Sequence, residues 1–236
     1  MMIDDVIAFL GHQVHFSRYR EAGLLLKWLG GDLLDQRVLD VAGGDGFWAA
    51  QARRRGAHAV SIDLSRSKMI RGARLTCAPA LLEADALRLP FGDASFDRVM
   101  SICAIEHFDD GLAALGEMAR VLVPGGELLL SADALTRAGQ WPRLYAAHCR
   151  RYAVKQTYAH ERLARLLDEC GLDVVEYDYQ FRGHHAEHFY LAMSSVKGKA
   201  APNAASIAAP LIAASDRRSP NDRGSIVLIR ARKRGG

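Results

Sequence analysis

The chain has 236 residues, half of them hydrophobic, which is enough for one sizeable core and predicts a single domain over residues 1–236. Its formal net charge is +4, a mild basic bias that does not by itself indicate nucleic acid or an anionic ligand. The four cysteines are far apart and form no C-x-x-C pair. They therefore predict neither a zinc nor an iron–sulfur site, and they fit a reduced, cytoplasmic setting. No apolar run is long enough to span a bilayer, and acidic residues near the N-terminus argue against a signal peptide.

The N-terminal segment, residues 1–31, predicts two helices ahead of the first core strand, and we interpret it as a helical cap. Ser17 can cap the second of these helices. Segments added over a cleft often carry ligand contacts, so His15 and Tyr19 are candidate substrate-binding residues. Packing of Tyr19 and simple solvation of His15 explain the same residues equally well.

The stretch RVLDVAGGDGFWAA, residues 37–50, predicts a buried strand, a glycine-rich turn and a helix. Glycine tolerates left-handed backbone angles and lets a ligand approach the main chain without a Cβ in the way. This pattern also serves dinucleotide and phosphate sites, so it predicts a ligand-binding turn without naming the ligand.

A second strand, AHAVSI, ends immediately before Asp63. An acidic residue at the end of the second strand of such a fold can accept two hydrogen bonds from ribose hydroxyls. The alternative is that Asp63 or Ser65 caps the following helix.

Strands and helices continue to alternate along the chain, which predicts an α/β fold. We expect a Rossmann-like, doubly wound, mostly parallel seven-stranded sheet. The last two strands lack a regular crossover helix, which predicts an antiparallel edge strand.

Two insertions interrupt this alternation. Residues 134–160 contain five basic and no acidic residues, follow the fifth strand, and predict a substrate lid. A solvated helix with tyrosines packed inward is the alternative. The second insertion, residues 182–223, begins as a helix and continues as a low-complexity segment that predicts a flexible loop or a packing lobe. The candidate substrate residues of the lid are its aromatic and histidine side chains: Trp141, Tyr145, His148 and Tyr152.

Five motifs stand in one order: VLDVAGGDG, SIDLS, EADALRLPFGDASFDRVMS, IEHF and RVLVPGGELLLS. In this order they resemble the class I S-adenosylmethionine-dependent methyltransferases, in particular the branch of ubiquinone and menaquinone C-methyltransferases and small-molecule methyltransferases. The resemblance covers residues 37–132 and implies S-adenosylmethionine as cofactor and S-adenosylhomocysteine as product. It makes residues 37–133 the cofactor-binding core.

The resemblance also implies a role for individual residues around the cofactor. The glycine-rich loop would pass under the methionine part, Asp40 would orient that loop and the methionine amino group, and Asp63 would bind the ribose. The chain departs from the family at Ala42, where glycine is usual. The complete set implied to bind the cofactor is Asp40, Ala42, Gly43, Gly44, Gly46, Asp63, Leu64, Asp85, Ala86, Ile102 and Cys103.

Transfer of a methyl group from a sulfonium is an in-line displacement, so the protein mainly aligns the acceptor and excludes water. A base is needed only when the acceptor must lose a proton. His107, after the fourth strand, is the first candidate base, although it could equally pack or form a hydrogen bond. We expect its neighbour Glu106 to face the helix or solvent.

The sequence therefore predicts a methyltransferase for a small, aromatic or anionic molecule, acting at oxygen, nitrogen or carbon. An RNA or protein methyltransferase, a non-catalytic cofactor-binding module and an NAD-dependent dehydrogenase are the alternatives; the absent Asn/Asp-Pro-Pro-Tyr/Phe motif makes nucleic acid the weaker partner. His184 and His188 invite a metal site, yet they match no known zinc pattern, and we predict none. The insertions could close over a substrate or build a homodimer.

Overall fold

The computed structural model describes residues 17–75, 77–196 and 205–235. Within these ranges the chain forms one seven-stranded sheet of order β3-β2-β1-β4-β5-β7-β6. The strands are β1 (Arg37–Val41), β2 (His58–Asp63), β3 (Ala80–Glu83), β4 (Phe96–Ile102), β5 (Leu122–Asp133), β6 (Leu172–Gln180) and β7 (Ile226–Lys233).

Helices connect these strands and cover both faces of the sheet. They are α1 (Tyr19–Leu29), α2 (Phe47–Arg53), α3 (Arg66–Gly72), α4 (Gly111–Val121), α5 (Pro142–Tyr152), α6 (His160–Glu169), α7 (His184–Ser195) and α8 (Ala209–Arg218). Short 3₁₀ turns lie at Ile105–His107, Ala138–Gln140 and Ala205–Ala208.

The predicted doubly wound, mostly parallel sheet is confirmed. Strands β1 to β5 pair in parallel, and β7 pairs antiparallel with both β5 and β6. The antiparallel pairing therefore lies at the predicted edge of the sheet. The antiparallel strand β7 is the second strand from that edge, and β6 is the outermost strand. The carboxyl ends of β1, β4 and β5 meet at the centre of one sheet edge, where open α/β sheets bind ligands.

The core has two apolar layers, one on each face of the sheet. Along β1, Val38 belongs to the layer under α1 and α2, whereas Leu39 belongs to the layer under α4 and α6. Both side chains are fully buried. This alternation follows from the two-residue period of a strand, and burial on both faces explains why the β1 run is almost continuously apolar. Asp40 is the exception to the apolar run.

The starts of α4 and α1 are capped differently. Asp110 caps α4, with its Oδ1 accepting from the amide of Ala113 at 2.9 Å. Ser17 is not the cap of α1: Arg18 occupies that position and makes no side-chain capping bond. Strand β5 begins directly after α4, because the segment 124–126, with its proline and two glycines, is part of the strand.

The low-complexity part of the second insertion is not merely a loop, since it contains α8. The buried carboxylate of Asp216 on α8 accepts hydrogen bonds from the amides of Phe181 (2.7 Å) and Arg182 (2.8 Å). Arg20 of α1 lies 3.3 Å from the same carboxylate. These contacts fasten the insertion to the end of β6 and to α1. No helix in the described ranges is long and apolar enough to cross a membrane.

Candidate functional site

The glycine-rich loop lies between β1 and α2, at the carboxyl edge of the sheet. Its residues 42–45 are partly exposed, so the backbone is open to a ligand, while the Asp40 carboxylate lies beneath and is fully buried. Asp40 Oδ2 accepts from the amide of Ala49 at 3.3 Å and from Ser61 Oγ at 3.4 Å. A Cβ on Gly43 would fall 2.3 Å from both of these oxygens, which explains the glycine.

Asp63 joins the loop to the end of β2. Its Oδ2 accepts from the amide of Gly44 at 2.9 Å, and its Oδ1 accepts from the amide of Ser65 at 2.7 Å. The glycine-rich motif after β1 and the acidic residue at the end of β2 are therefore in direct contact. Asp63 bonds the backbone near the start of α3, as the capping alternative required, yet each carboxylate oxygen keeps a second lone pair for a ligand hydroxyl.

Four non-glycine residues that follow strands at this edge adopt left-handed backbone angles, among them Leu135 after β5 and Phe181 after β6. Ala42 follows β1 with φ +55°, and Cys103 follows β4 with φ +48°. Side chains with a Cβ pay a conformational cost there, and such strain concentrates at functional sites. Ala42, which stands where the family usually has glycine, thus adopts the left-handed conformation that glycine would adopt there.

The remaining residues implied to bind the cofactor surround the same edge. Leu64 is 69% exposed beside the end of β2, and Ala86 is buried. Asp85 is exposed, with its Oδ1 accepting from the amide of Leu87 at 2.9 Å. Ile102 and Cys103 are partly exposed at the end of β4. Their roles toward a ligand remain predictions.

Burial raises the pKa of Asp40 to about 7, because the carboxylate has lost its hydration and two weak hydrogen bonds compensate only in part. No described residue donates a hydrogen bond to its Oδ1. The geometry supports the loop-orienting role of Asp40. It does not bring the carboxylate into contact with a ligand, because Asp40 has no exposed surface.

A second set of polar groups lies beyond Cys103, between β4, β5 and α1, and the sequence analysis missed it. Glu21 of α1 is fully buried, and its Oε1 accepts from Ser131 Oγ at 2.5 Å and from Cys103 Sγ at 3.2 Å. Its Oε2 accepts from Arg18 Nη1 at 2.7 Å. Burial raises the pKa of Cys103 well above its usual range, although the residue keeps partial exposure. Cys103 therefore packs against the core layer under α1 and keeps partial exposure.

Glu106 is a further buried carboxyl group of this region, and of the two orientations expected for it, burial excludes the one toward solvent. The residue is 2% exposed, and no described residue donates a hydrogen bond to its Oε2. Burial, followed by the charge of Asp133, raises the pKa of Glu106 well above its usual range. Its backbone carbonyl accepts from Lys155 (2.8 Å) and Gln156 (3.3 Å), which docks the lid segment on the turn after β4.

His107, the predicted base, has one ring nitrogen near a backbone carbonyl and the other near Glu106. Nδ1 lies 3.2 Å from the carbonyl oxygen of Ala153, and Nε2 lies 4.0 Å from Glu106 Oε1. Its side chain is 39% exposed. If Nδ1 donates to Ala153, the neutral ring presents Nε2 as an acceptor on the side of Glu106.

His148 faces the protein interior rather than a surface open to substrate. Its Nε2 lies 2.7 Å from Asp133 Oδ2 and its Nδ1 lies 2.8 Å from Ser194 Oγ, and the residue is 1% exposed. Tyr190 donates a further hydrogen bond of 3.1 Å to Asp133 Oδ1. Both nitrogens of His148 are thus engaged, and its predicted substrate contact is corrected to a link between α5, α7 and the end of β5.

The other lid and cap residues have separate placements. Trp141 packs at a tilt against His184 and His188 with centroid distances of 4.8 and 5.2 Å, which joins the lid to α7. Tyr145 is partly buried against the core, whereas Tyr152 is 42% exposed beside His148. Two candidates are not resolved by this geometry: His15 lies outside the described residues, and only the backbone of Tyr19 is described, as the first residue of α1.

Together the sheet order, the glycine loop and Asp63 define a doubly wound nucleoside-binding fold. A family model described as a methyltransferase domain matches residues 39–130. The chain is 30% identical over 159 residues to a demethylmenaquinone methyltransferase of Beutenbergia cavernae, covering 63% of this chain and 66% of that protein. It is 33% identical over 165 residues to the O-methyltransferase resE of Aspergillus sclerotiorum, covering 67% and 61% respectively.

A solved structure with a similar fold is the geranyl diphosphate C-methyltransferase of Streptomyces coelicolor. It superposes with a TM-score of 0.67 over 92% of this chain and 77% of that one, at 18% identity, and it holds Mg²⁺, geranyl diphosphate and S-adenosyl-L-homocysteine. The chain belongs to the class I S-adenosylmethionine-dependent methyltransferases. The matched part of the chain covers between 41% and 66% of the length of each of these curated methyltransferases.

The loop fits the cofactor of this family. Its main chain is accessible over residues 42–45, and a side chain on Gly43 would displace the Asp40 carboxylate beneath it. Asp63 is held at the end of β2 with acceptor capacity for ribose hydroxyls. Within the described ranges, no group of three or more histidine, cysteine, aspartate or glutamate side chains could hold a metal ion.

Proposed function

We propose that this protein transfers the methyl group of S-adenosylmethionine to a small, aromatic or anionic molecule. The observation that carries this proposal is the contact of the glycine loop with Asp63 across the central strand ends. That contact supports a nucleoside site beside the β4 and β5 ends, where Cys103, Glu106 and Asp133 lie. The cofactor, when bound, supplies the electrophilic methyl group.

The protein's own residues have three tasks in this proposal. The loop and Asp63 bind and orient the nucleoside, and Asp40 holds the loop against the start of α2 through the amide of Ala49. The lid residues 134–160 exclude water, since their backbone docks on Glu106 and Trp141 packs against α7. Helices α1 and α7 serve as walls of the acceptor side, because Glu21 and Tyr190 reach from them to the end of β5.

An aromatic acceptor is supported by Tyr152 of the lid, whose ring is 42% exposed beside His148. An anionic acceptor is supported by Arg18, which pairs with Glu21 and keeps 28% of its side chain exposed. The acceptor atom is oxygen, nitrogen or carbon. RNA or protein as acceptor and a non-catalytic cofactor-binding role are the competing outcomes.

Calorimetry with S-adenosylhomocysteine and with NAD tests the proposal. We expect S-adenosylhomocysteine to bind and NAD not to bind, and the reverse would refute the family's cofactor for this chain. Retention of total RNA on the immobilised protein at low salt, lost at higher salt, would instead favour an RNA substrate. Binding of S-adenosylhomocysteine without transfer of a labelled methyl group to any phenol, amine or carboxylate probe would favour the non-catalytic role.

A further inference from the structure

Helix α8 exposes its large apolar side chains and buries its acidic one. Asp216 is fully buried, and Ile212 packs against the core. The two most exposed large apolar side chains of the described residues lie on the other side. They are Ile207, 86% exposed in the 3₁₀ turn that runs directly into α8, and Leu211, 75% exposed. A helix that faces water normally has the reverse arrangement, so this face of α8 calls for a partner that is not water.

Two arginines extend the same exposed surface. Arg218 follows Leu211 by seven residues and Ile207 by eleven, a spacing that repeats on one side of a helix. Arg217 is its neighbour, and both arginines are exposed with no ion-pair partner in the part of the chain that the structure describes. We call these four residues the outer face of α8. It combines two aliphatic side chains with two unpaired cations.

The inward side of α8 fixes the helix in this orientation. The Asp216 carboxylate accepts from the amides of Phe181 (2.7 Å) and Arg182 (2.8 Å), and Arg20 of α1 lies 3.3 Å from it. A rotation of the helix that buried the two aliphatic side chains would break these contacts and expose the carboxylate. The outer face is therefore held toward the surroundings by buried polar contacts.

We propose that the outer face of α8 docks on the surface of an anionic lipid bilayer. Ile207 and Leu211 enter the boundary between headgroups and acyl chains, and Arg217 and Arg218 contact the lipid phosphates. Arginine suits this position because its aliphatic stem lies along apolar groups while its guanidinium stays in the polar layer. The inference concerns a surface outside the cofactor site and does not depend on the proposed function.

The size and the charge of the outer face favour a bilayer over a second copy of the chain. Helix α8 has ten residues and is about 15 Å long. Two such helices packed together bury far less than the roughly 1,200 Å² of a stable protein interface. Their contact would also gather four arginines, with no acidic side chain on the outer face to compensate them. A bilayer supplies the negative charge and needs no complementary pocket.

Flotation with lipid vesicles tests the proposal. The protein is mixed with vesicles of phosphatidylcholine and phosphatidylglycerol, or with vesicles of phosphatidylcholine alone. We expect wild-type protein to float with the anionic vesicles and to bind the neutral ones roughly 10-fold more weakly or worse. Added salt should release it from the anionic vesicles, because salt screens the attraction of the arginines to the phosphates.

The aliphatic side chains are tested against a matched leucine elsewhere. Leu211→Ser should weaken binding to the anionic vesicles by roughly 10-fold, and the further change Ile207→Ser should weaken it again, since less apolar surface enters the bilayer. Leu34→Ser, at a leucine that is 70% exposed ahead of β1, should bind as wild type. The midpoint of urea unfolding should stay at the wild-type value in all three variants, because each changes an exposed side chain.

The arginines are tested in the same way. Arg217→Gln with Arg218→Gln should weaken binding to the anionic vesicles by roughly 10-fold and remove most of its dependence on salt. Arg74→Gln with Arg165→Gln, which changes two exposed arginines on other segments, should leave both properties at the wild-type level.

Three results would overturn the inference. They are absence of wild-type protein from the floated anionic vesicles, equal flotation of Leu211→Ser and wild type, and self-association of wild-type protein in sedimentation equilibrium that Leu211→Ser abolishes. The last result would assign the outer face to a second copy of the chain. If the serine variants are poorly folded, unaltered binding of the Arg217→Gln and Arg218→Gln variant refutes the inference independently. Failure to bind S-adenosylhomocysteine would refute the proposed function alone.

Discussion

The amide of Gly44 donates a hydrogen bond of 2.9 Å to Oδ2 of Asp63, which ties the loop after β1 to the end of β2. The same carboxylate receives the amide of Ser65 through its other oxygen. Asp63 therefore shapes the loop and offers its remaining lone pairs to a ribose. A substitution at this position tests both functions at once.

We expect Asp63→Ala to weaken S-adenosylhomocysteine binding by roughly 1–3 kcal/mol, since hydrogen bonds to a charged acceptor are lost. Calorimetry measures this effect, and Asp63→Asn should fall between wild type and alanine because it retains one acceptor oxygen. Unchanged affinity in Asp63→Ala would refute the ribose assignment. Glu176→Gln, which leaves the loop untouched, should bind as wild type.

The two adjacent glycines of the loop should respond differently to alanine. In Gly43→Ala the new Cβ would fall 2.3 Å from Asp40 Oδ2 and Ser61 Oγ, so buried groups must move at a cost of about 1–3 kcal/mol. In Gly44→Ala the nearest contact, Lys68 Cδ at 3.4 Å, is tolerable, and the cost is the left-handed φ of +63°, roughly 1 kcal/mol. Urea unfolding should rank Gly43→Ala as the less stable variant. The opposite ranking would contradict the packing of Asp40 against the loop.

Ala42→Gly should stabilise the protein by up to about 1 kcal/mol. It removes the strain of a left-handed alanine at φ +55°, a gain partly offset by the greater freedom of glycine in the unfolded chain. Ala94→Gly, at φ +50° in an exposed turn, is the matched control and should give a similar gain. Only Ala42→Gly should also alter the affinity for S-adenosylhomocysteine, because only Ala42 lies in the loop. An equal change of affinity in Ala94→Gly would show that the effect does not arise from the loop.

Asp40 should make stability depend on pH. Its folded pKa of about 7 lies above the unfolded value near 4, so the folded state holds the proton more tightly. The free energy of unfolding should therefore fall as the pH rises from about 4 to about 7, by on the order of 4 kcal/mol at most, and then level off. Asp40→Asn should flatten this part of the curve, measured by urea unfolding at successive pH values. The raised pKa of Glu106 acts with the same sign, so some dependence should persist in Asp40→Asn.

His148→Ala should destabilise the protein by roughly 2–5 kcal/mol, because Asp133 and Ser194 lose a buried partner. Tyr190→Phe, which removes one hydrogen bond to Asp133, should cost about 1–2 kcal/mol. Tyr152→Ala, at the exposed end of the lid helix, should cost about 1 kcal/mol or less. Equal losses in His148→Ala and Tyr152→Ala would contradict the interior role of His148.

The part of the site that binds the cofactor was open to prediction because it is local. The loop, Asp40 and Asp63 lie within 24 residues, and each is at or near the end of a strand or in the turn that follows it. A parallel sheet brings such ends to one edge whatever the details of packing. Strand and glycine patterns therefore predicted the fold, and the order of five motifs indicated the family by resemblance.

The acceptor side was not open to prediction in the same way. Glu21 lies in α1, Glu106 after β4, Asp133 at the end of β5 and Tyr190 in α7, so their meeting depends on long-range packing. One local signal did exist: Glu21 shares the buried face of α1 with Leu25 and Trp28, where a solvated glutamate would not be expected. The same long-range packing turned His148 inward and buried Glu106.

By itself, the sequence determined a doubly wound core with a glycine loop and acidic strand ends, because periodicity and turns are short-range properties, and the order of its motifs indicated the methyltransferase family by resemblance. Only the tertiary structure decided which of the chain's carboxyl groups are buried and which partners they have. That outcome depends on the packing of distant segments around each group. For this protein it buries Glu106 and leaves the side chain of its neighbour His107 39% exposed.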